Sequence, residues 1–235
     1  MKKIALIVAA MLLVTVVFTA CAKKEEPAPQ TEPAVVGGWT LNTDETKGML
    51  DEDAQKAFDK ALEGYAGMGF EPIALLGTQV VAGTNYLILC RGTTVTAKPE
   101  TKLVTVKVYA KLDGNAEILE VKDFDLGAIE QIEDGKGTEK GLAGGWNIPL
   151  DYKVVNLPAE AAKAFDGAMD GFTGANYEPM ALLGTKVIAG VEYAILCHQT
   201  LVTANPESNV AVVYVCGMAD GTNEIKNIVP LNLAE

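Results

Sequence analysis

The sequence predicts an α+β fold, an antiparallel sheet laid across a single helix, and it predicts this twice. Three observations carry the prediction. About 40 of about 92 positions recur, without a gap, at an offset of 107 residues. Each copy holds one apolar stripe at helical spacing. Short strand-like apolar runs, separated by turn residues, surround that stripe in the order β-α-β-β-β.

The elements follow in chain order. Residues 1–21 read as an export signal: Lys2-Lys3, an apolar run from Ile4 to Val17, then Phe18-Thr19-Ala20-Cys21. The run is about 14 residues, short for a membrane span. The small residue before Cys21 resembles the bacterial lipoprotein cleavage box, although Phe18 stands where that family usually has Leu. The resemblance implies that the Cys21 thiol is lipidated and that the chain is exported and anchored to the cell membrane through this lipid. Residues 22–36 hold Lys23-Lys24-Glu25-Glu26 and three prolines, the composition of an extended, disordered tether.

Gly37-Gly38-Trp39 opens the first copy and Gly144-Gly145-Trp146 the second. The repeats define two domains, 37–128 and 144–235, joined by a polar linker at 129–143. In the first copy Leu50, Ala54, Ala57, Phe58, Ala61, Leu62 and Tyr65 share one helical stripe. Asp51 is the expected N-cap and Gly67 and Gly69 the stop. In the second, Pro158 suits the first turn, and Ala161, Phe165, Ala168, Met169 and Phe172 repeat the stripe. Strands are expected over 39–41, 73–80, 85–90, 103–111 and 116–124. Asp113-Gly114 marks a hairpin turn between the last two.

Between the second and third of these runs lies Gln79-Val80-Val81-Ala82-Gly83. Gly83 can take a positive φ at the bend. Val80, Val81 and Ala82 give the bend an apolar tip, which folding alone does not require and which suits burial by a partner.

This hairpin, in this strand order, resembles the cystatin family of cysteine-protease inhibitors. Asn85-Tyr86 opens the next strand as in many cystatins, and Gly37-Gly38 falls where they keep a trunk glycine. Arg91 to Thr94, Pro99 and Val108 to Ala110 extend the likeness over about 90 residues of each copy. The resemblance implies two tandem cystatin-like domains and a wedge entering the cleft of a papain-like cysteine protease. The wedge would comprise the trunk at Gly37 and Gly38, with Val35 and Val36 in the substrate pockets, the Gln79–Gly83 hairpin, and a second hairpin at Leu112-Asp113. Leu112-Asp113 replaces the family's usual Pro-Trp. The second copy offers Gly144, Gly145, Lys186, Val187, Ile188, Ala189 and Gly190 as weaker equivalents, with Lys186 in place of Gln. A domain-swapped dimer, hinged at the hairpin tip, is also implied. The alternative is a surface interaction module of the same fold that inhibits nothing.

Composition bounds the remaining classes. The 235 residues carry a net charge of −12 with a pI near 4.6. No basic stripe exists to displace phosphate counterions, which argues against nucleic acid. No nucleophile with a base, no metal-ligand cluster and no phosphate loop stand out. The chain therefore reads as a non-enzyme without a cofactor. Cys90 and Cys197 share strand parity with Tyr86-Ile88 and Tyr193-Ile195, a parity that the resemblance to cystatins turns toward the helix, whereas Cys216 faces the other way, against a Cys197–Cys216 bridge. Trp39 and Trp146 are expected to cover the core over the helix, and His198 to be a solvated strand residue.

Overall fold

A computed structural model describes residues 37–42, 49–130, 145–149 and 157–233, with side chains at 129–130 excepted. Cys21, the tether, Val35, Val36, Gly144 and most of the 129–143 segment lie outside the described residues. The chain divides into Met1–Glu32 and a compact unit, Pro33–Glu235, which holds everything described below.

In the first repeat the elements are β1 (Trp39–Leu41), α1 (Glu52–Leu62), β2 (Met68–Val81), β3 (Gly83–Thr94), β4 (Thr101–Lys111) and β5 (Ala116–Asp123). A short helix, α2 (Leu126–Glu130), follows. The second repeat has α3 (Ala159–Met169), β6 (Ala175–Val187), β7 (Gly190–Leu201), β8 (Ser208–Met218) and β9 (Asn223–Pro230). Sequential neighbours pair antiparallel, giving a five-stranded sheet β1-β2-β3-β4-β5 and a four-stranded sheet β6-β7-β8-β9. The counterpart of β1 is reduced to one bridge, Asn147 to Thr185.

Local sequence explains the helices. Asp51 caps α1 by accepting the Ala54 amide at 2.7 Å, and Glu52 and Asp53 sit at the positive end of its dipole. Helix α3 begins at Pro158 with no side-chain cap. Ala54, Ala57 and Phe58, and likewise Ala161, Ala164 and Phe165, are buried against their sheets. Helix α1 stops at Leu62, earlier than Gly67 and Gly69 suggested, and Gly64 turns the chain at φ +78°. Strands β2 and β3 outrun their apolar cores because alternating segments such as Phe70–Pro72 still pair with Cys90–Gly92.

Two bulges in β2, at Ile73 and Leu76, break its alternation of faces, and Ile73-Ala74-Leu75-Leu76 is buried without a break because both faces are covered. Leu75 turns to the helix side with Phe58, Ile88, Cys90 and Val106. Ile73, Ala74 and Leu76 turn to the other face. The same two shifts recur in β6, between Pro179 and Ala181 and between Leu182 and Gly184.

That other face is buried too. The sheets pack against each other through one apolar cluster drawn from both repeats, including Leu76, Leu89, Leu103 and Leu126 of the first and Leu183, Leu196, Val212 and Tyr214 of the second. The contacts are reciprocal. A Cβ added to Gly77 would lie 2.6 Å from Leu233 Cδ1 and 2.7 Å from the Thr40 carbonyl. One added to Gly184 would lie 2.7 Å from Leu126 Cδ1 and 3.5 Å from the Asn147 carbonyl. Each of these residues stands 107 positions from its counterpart, so the two repeats meet as an isologous pair would. Leu126 follows β5 at the end of the first sheet remote from its Gln79–Gly83 bend, yet it packs beside β6 in the half near the second bend. The repeats therefore run antiparallel to one another, and their bends point to opposite ends of the unit.

This packing corrects two expectations. His198 is only 5% exposed, because its strand face is covered by the facing sheet, and its Nε2 has no hydrogen-bond partner among the described residues. Trp39 and Trp146 pack against the sheet–sheet cluster, not over the helices. Both follow from a face that alternation alone would leave to solvent.

Candidate functional site

Strands β2 and β3 turn tightly, with Val81 paired to Gly83 and Ala82 at the apex. Gly83 has φ +137°, and a Cβ there would run into the Ala110 carbonyl, so glycine is required twice over. Tyr109 Oη donates to the Ala82 carbonyl at 2.6 Å, bracing the apex from β4. Val80 and Val81 nonetheless remain exposed, Val81 at 40%. The bend is packed neither into its own repeat nor against the other.

The trunk is tied to this hairpin. The Gly37 amide donates to the Val80 carbonyl at 3.1 Å, with Gly37 at φ +85°. Gln79 Nε2 donates back to the Gly37 carbonyl at 3.0 Å, and Gln79 Oε1 accepts from Asn85 Nδ2 at 2.7 Å. Gln79 thus holds the leading arm against the bend, and the nearly buried Asn85 holds Gln79. Gly38 follows at the start of β1, whose Trp39 pairs with Gln79.

The second hairpin lies alongside, because Gly83 pairs with Lys111 at the end of β4. Its loop, Leu112-Asp113-Gly114, is closed by the Lys111 amide on the Asn115 carbonyl at 2.8 Å, with Gly114 at φ +85°. Asp113 Oδ1 accepts the Asn115 amide at 2.9 Å, and that backbone bond holds its carboxyl below the usual carboxylate range. Leu112 is 86% exposed. Trunk, first bend and second hairpin therefore occupy one end of the sheet in strand order.

The second repeat builds the same end differently. Gly145 is exposed, and Gly144 lies outside the described residues. Val187 pairs with Val191, leaving Ile188 and Ala189 at the tip before Gly190. Val187 is 72% exposed and Ile188 also stands out. Lys186, the counterpart of Gln79, pairs with Glu192, the counterpart of Asn85, at 2.8 Å, and its Nζ lies 4.7 Å from the Trp146 ring centroid. The second loop there carries Ala219 where the first repeat has Leu112, so its large apolar residue is gone.

Asn85 and Tyr109 emerge as supports of the bend. Both fall in segments the sequence singles out, but nothing in their spacing announces the bonds they make. The cysteines take the expected sides, Cys90 and Cys197 facing the helices and Cys216 the other way, and all three are free. Burial pushes the Cys90 and Cys197 thiols well above their ordinary value, which removes nucleophilic character. No protein-family model matches this chain, and no curated protein sequence does.

Proposed function

We propose that the chain is an exported lipoprotein, anchored through Cys21, with two tandem cystatin-like domains, the first of which occupies the cleft of a papain-like cysteine protease. The observation supporting this reading is the alignment of Gly37, the exposed Gln79–Gly83 bend and Leu112-Asp113 along one end of a single sheet. Three loops in line suit a cleft. A bend held by Gly83, Tyr109 and Gln79 loses little freedom on docking. An interface of standard size would bury roughly 800 Å² per partner. The protease thiol meets a backbone presented as a hairpin tip rather than an extended substrate, so occupation is non-covalent.

The test is titration of papain with the chain begun at Ala22, which keeps the whole Pro33–Glu235 unit intact. Competitive, reversible inhibition is expected, and Val81→Asp should remove it without lowering stability. Inhibition that persists in Val81→Asp would show that the bend is not the binding element. The isolated first repeat is unsuited to the assay, because it would bare the sheet face carrying Leu76, Leu89 and Leu103. A second reading, a surface module of the same fold without inhibitory activity, is favoured by Leu112-Asp113, which lacks the aromatic anchor that carries energy in such interfaces. Absence of inhibition by the intact unit at micromolar concentration would select it.

A further inference from the structure

The isologous relation of the repeats gives every position at the sheet–sheet face a counterpart, so a cavity in one copy can be compared with what fills the other. On this face of the first sheet, Trp39, Leu76, Gln79, Leu87, Lys107 and Leu233 help to bound a cavity of about 440 Å³. That size falls in the range of small-molecule sites. In the second repeat the counterpart of Lys107 is Tyr214. Its ring lies 5.6 Å from that of Trp146, the counterpart of Trp39, and its hydroxyl donates to the Leu126 carbonyl at 2.9 Å. The counterpart of Leu126 is Leu233, which lines the cavity. Leu87, facing Ala194 in the comparison, takes up part of the space a ring would need, yet the cavity remains.

We infer that this cavity binds a small phenol, which supplies to the first repeat the ring that Tyr214 supplies to the second. The ring lies against Trp39 and the hydroxyl donates to the Leu233 carbonyl. Lys107, whose Nζ is 5.4 Å from the Trp39 ring centroid, swings on its flexible stem to cover the ligand's other face. The inference does not rest on protease binding: the cavity touches the hairpin at Gln79, while the exposed residues Val80–Gly83 do not line it.

The test uses p-cresol, which is the tyrosine side chain as a free molecule, and follows the two indole N–H signals of the ¹⁵N-labelled chain begun at Ala22. A saturable shift of the Trp39 signal alone is expected, with a dissociation constant on the order of 1 mM or below. 4-Methylanisole, which lacks the hydroxyl donor, should bind about three- to tenfold more weakly. The variant Leu87→Ala/Lys107→Tyr gives the first repeat the second repeat's own residues and should abolish the shift. An unmoved Trp39 signal, equal shifts of both indoles, equal binding of 4-methylanisole, or undiminished binding to a folded double variant would each overturn the proposal.

Discussion

The pairing of Gln79 with Asn85 in one repeat and of Lys186 with Glu192 in the other makes a quantitative prediction about what these positions do. If they act as a unit that braces the trunk and bend, Gln79→Lys and Asn85→Glu should each harm the fold and together should not. Asn85 is 6% exposed. A carboxylate placed there beside a neutral amide is a buried charge without its partner, costing about 3 kcal/mol. Lysine at 79 removes the acceptor that Asn85 Nδ2 uses at 2.7 Å and leaves that donor unmet, costing about 1–3 kcal/mol. The double variant recreates a pair that the molecule already holds at 2.8 Å with Glu192 only 3% exposed, and should fall within about 1 kcal/mol of the parent. Urea unfolding of all four proteins, begun at Ala22, gives a coupling free energy of at least about 2 kcal/mol on this argument. Additive single effects, with coupling below about 0.5 kcal/mol, would refute it.

Other expectations can be checked beside it. Gly77→Ala should destabilise the unit by about 1–3 kcal/mol, because the added methyl meets backbone at Thr40 as well as Leu233, and Gly184→Ala should cost less in the same unfolding assay, because its close neighbour is the end of the Leu126 side chain and the Asn147 carbonyl stands off at 3.5 Å. Tyr109→Phe should lose about 0.5–1.5 kcal/mol with the bond to Ala82, and faster amide exchange at the bend should report the loosening. The raised thiol values of Cys90 and Cys197 have a definite sign. The folded chain keeps protons that the unfolded chain gives up, so stability is whole below the ordinary thiol value and falls as pH rises above about 9, by about 1.4 kcal/mol per pH unit for each thiol. Cys90→Ala/Cys197→Ala should show a correspondingly shallower decline between pH 9 and about 11, and an unchanged slope would contradict the assignment.

Much of each repeat was legible because local rules acted alone there. Asp51 and the Leu50–Tyr65 stripe specified a helix, Asp113-Gly114 a loop, and Gly83 a bend, each through contacts within a few residues. The face between the two sheets was not legible. Its apolar positions lie on strands whose alternation is broken at Ile73 and Leu76, and an unbroken apolar run does not say how many faces are covered. The buried state of His198 and the placement of Trp39 and Trp146 were lost with it. At the site, the bend could be named from residue type, and Gly37-Gly38 only through the resemblance to cystatins. Their bracing by Tyr109 and Asn85 could not, because cross-strand bonds depend on register, which only the folded sheet fixes.

The way the two copies differ argues that they have been held together as one body. Where Gln79 becomes Lys186, its cross-strand partner Asn85 becomes Glu192. Where Lys107 becomes Tyr214, its partner Leu87 becomes Ala194. The first exchange keeps a polar pair satisfied, and the second offsets a larger ring with a smaller neighbour. The isologous contact is carried by equivalent residues: Leu126 reaches Gly184 and Leu233 reaches Gly77, at the same spacing from bulge to leucine in both copies. The ungapped offset of 107 residues is a trace of duplication, and the reciprocal contacts use the equal spacing that it left within each copy. The exposed valines of the two bends fall outside every one of these contacts, so nothing in the fold requires them to be apolar.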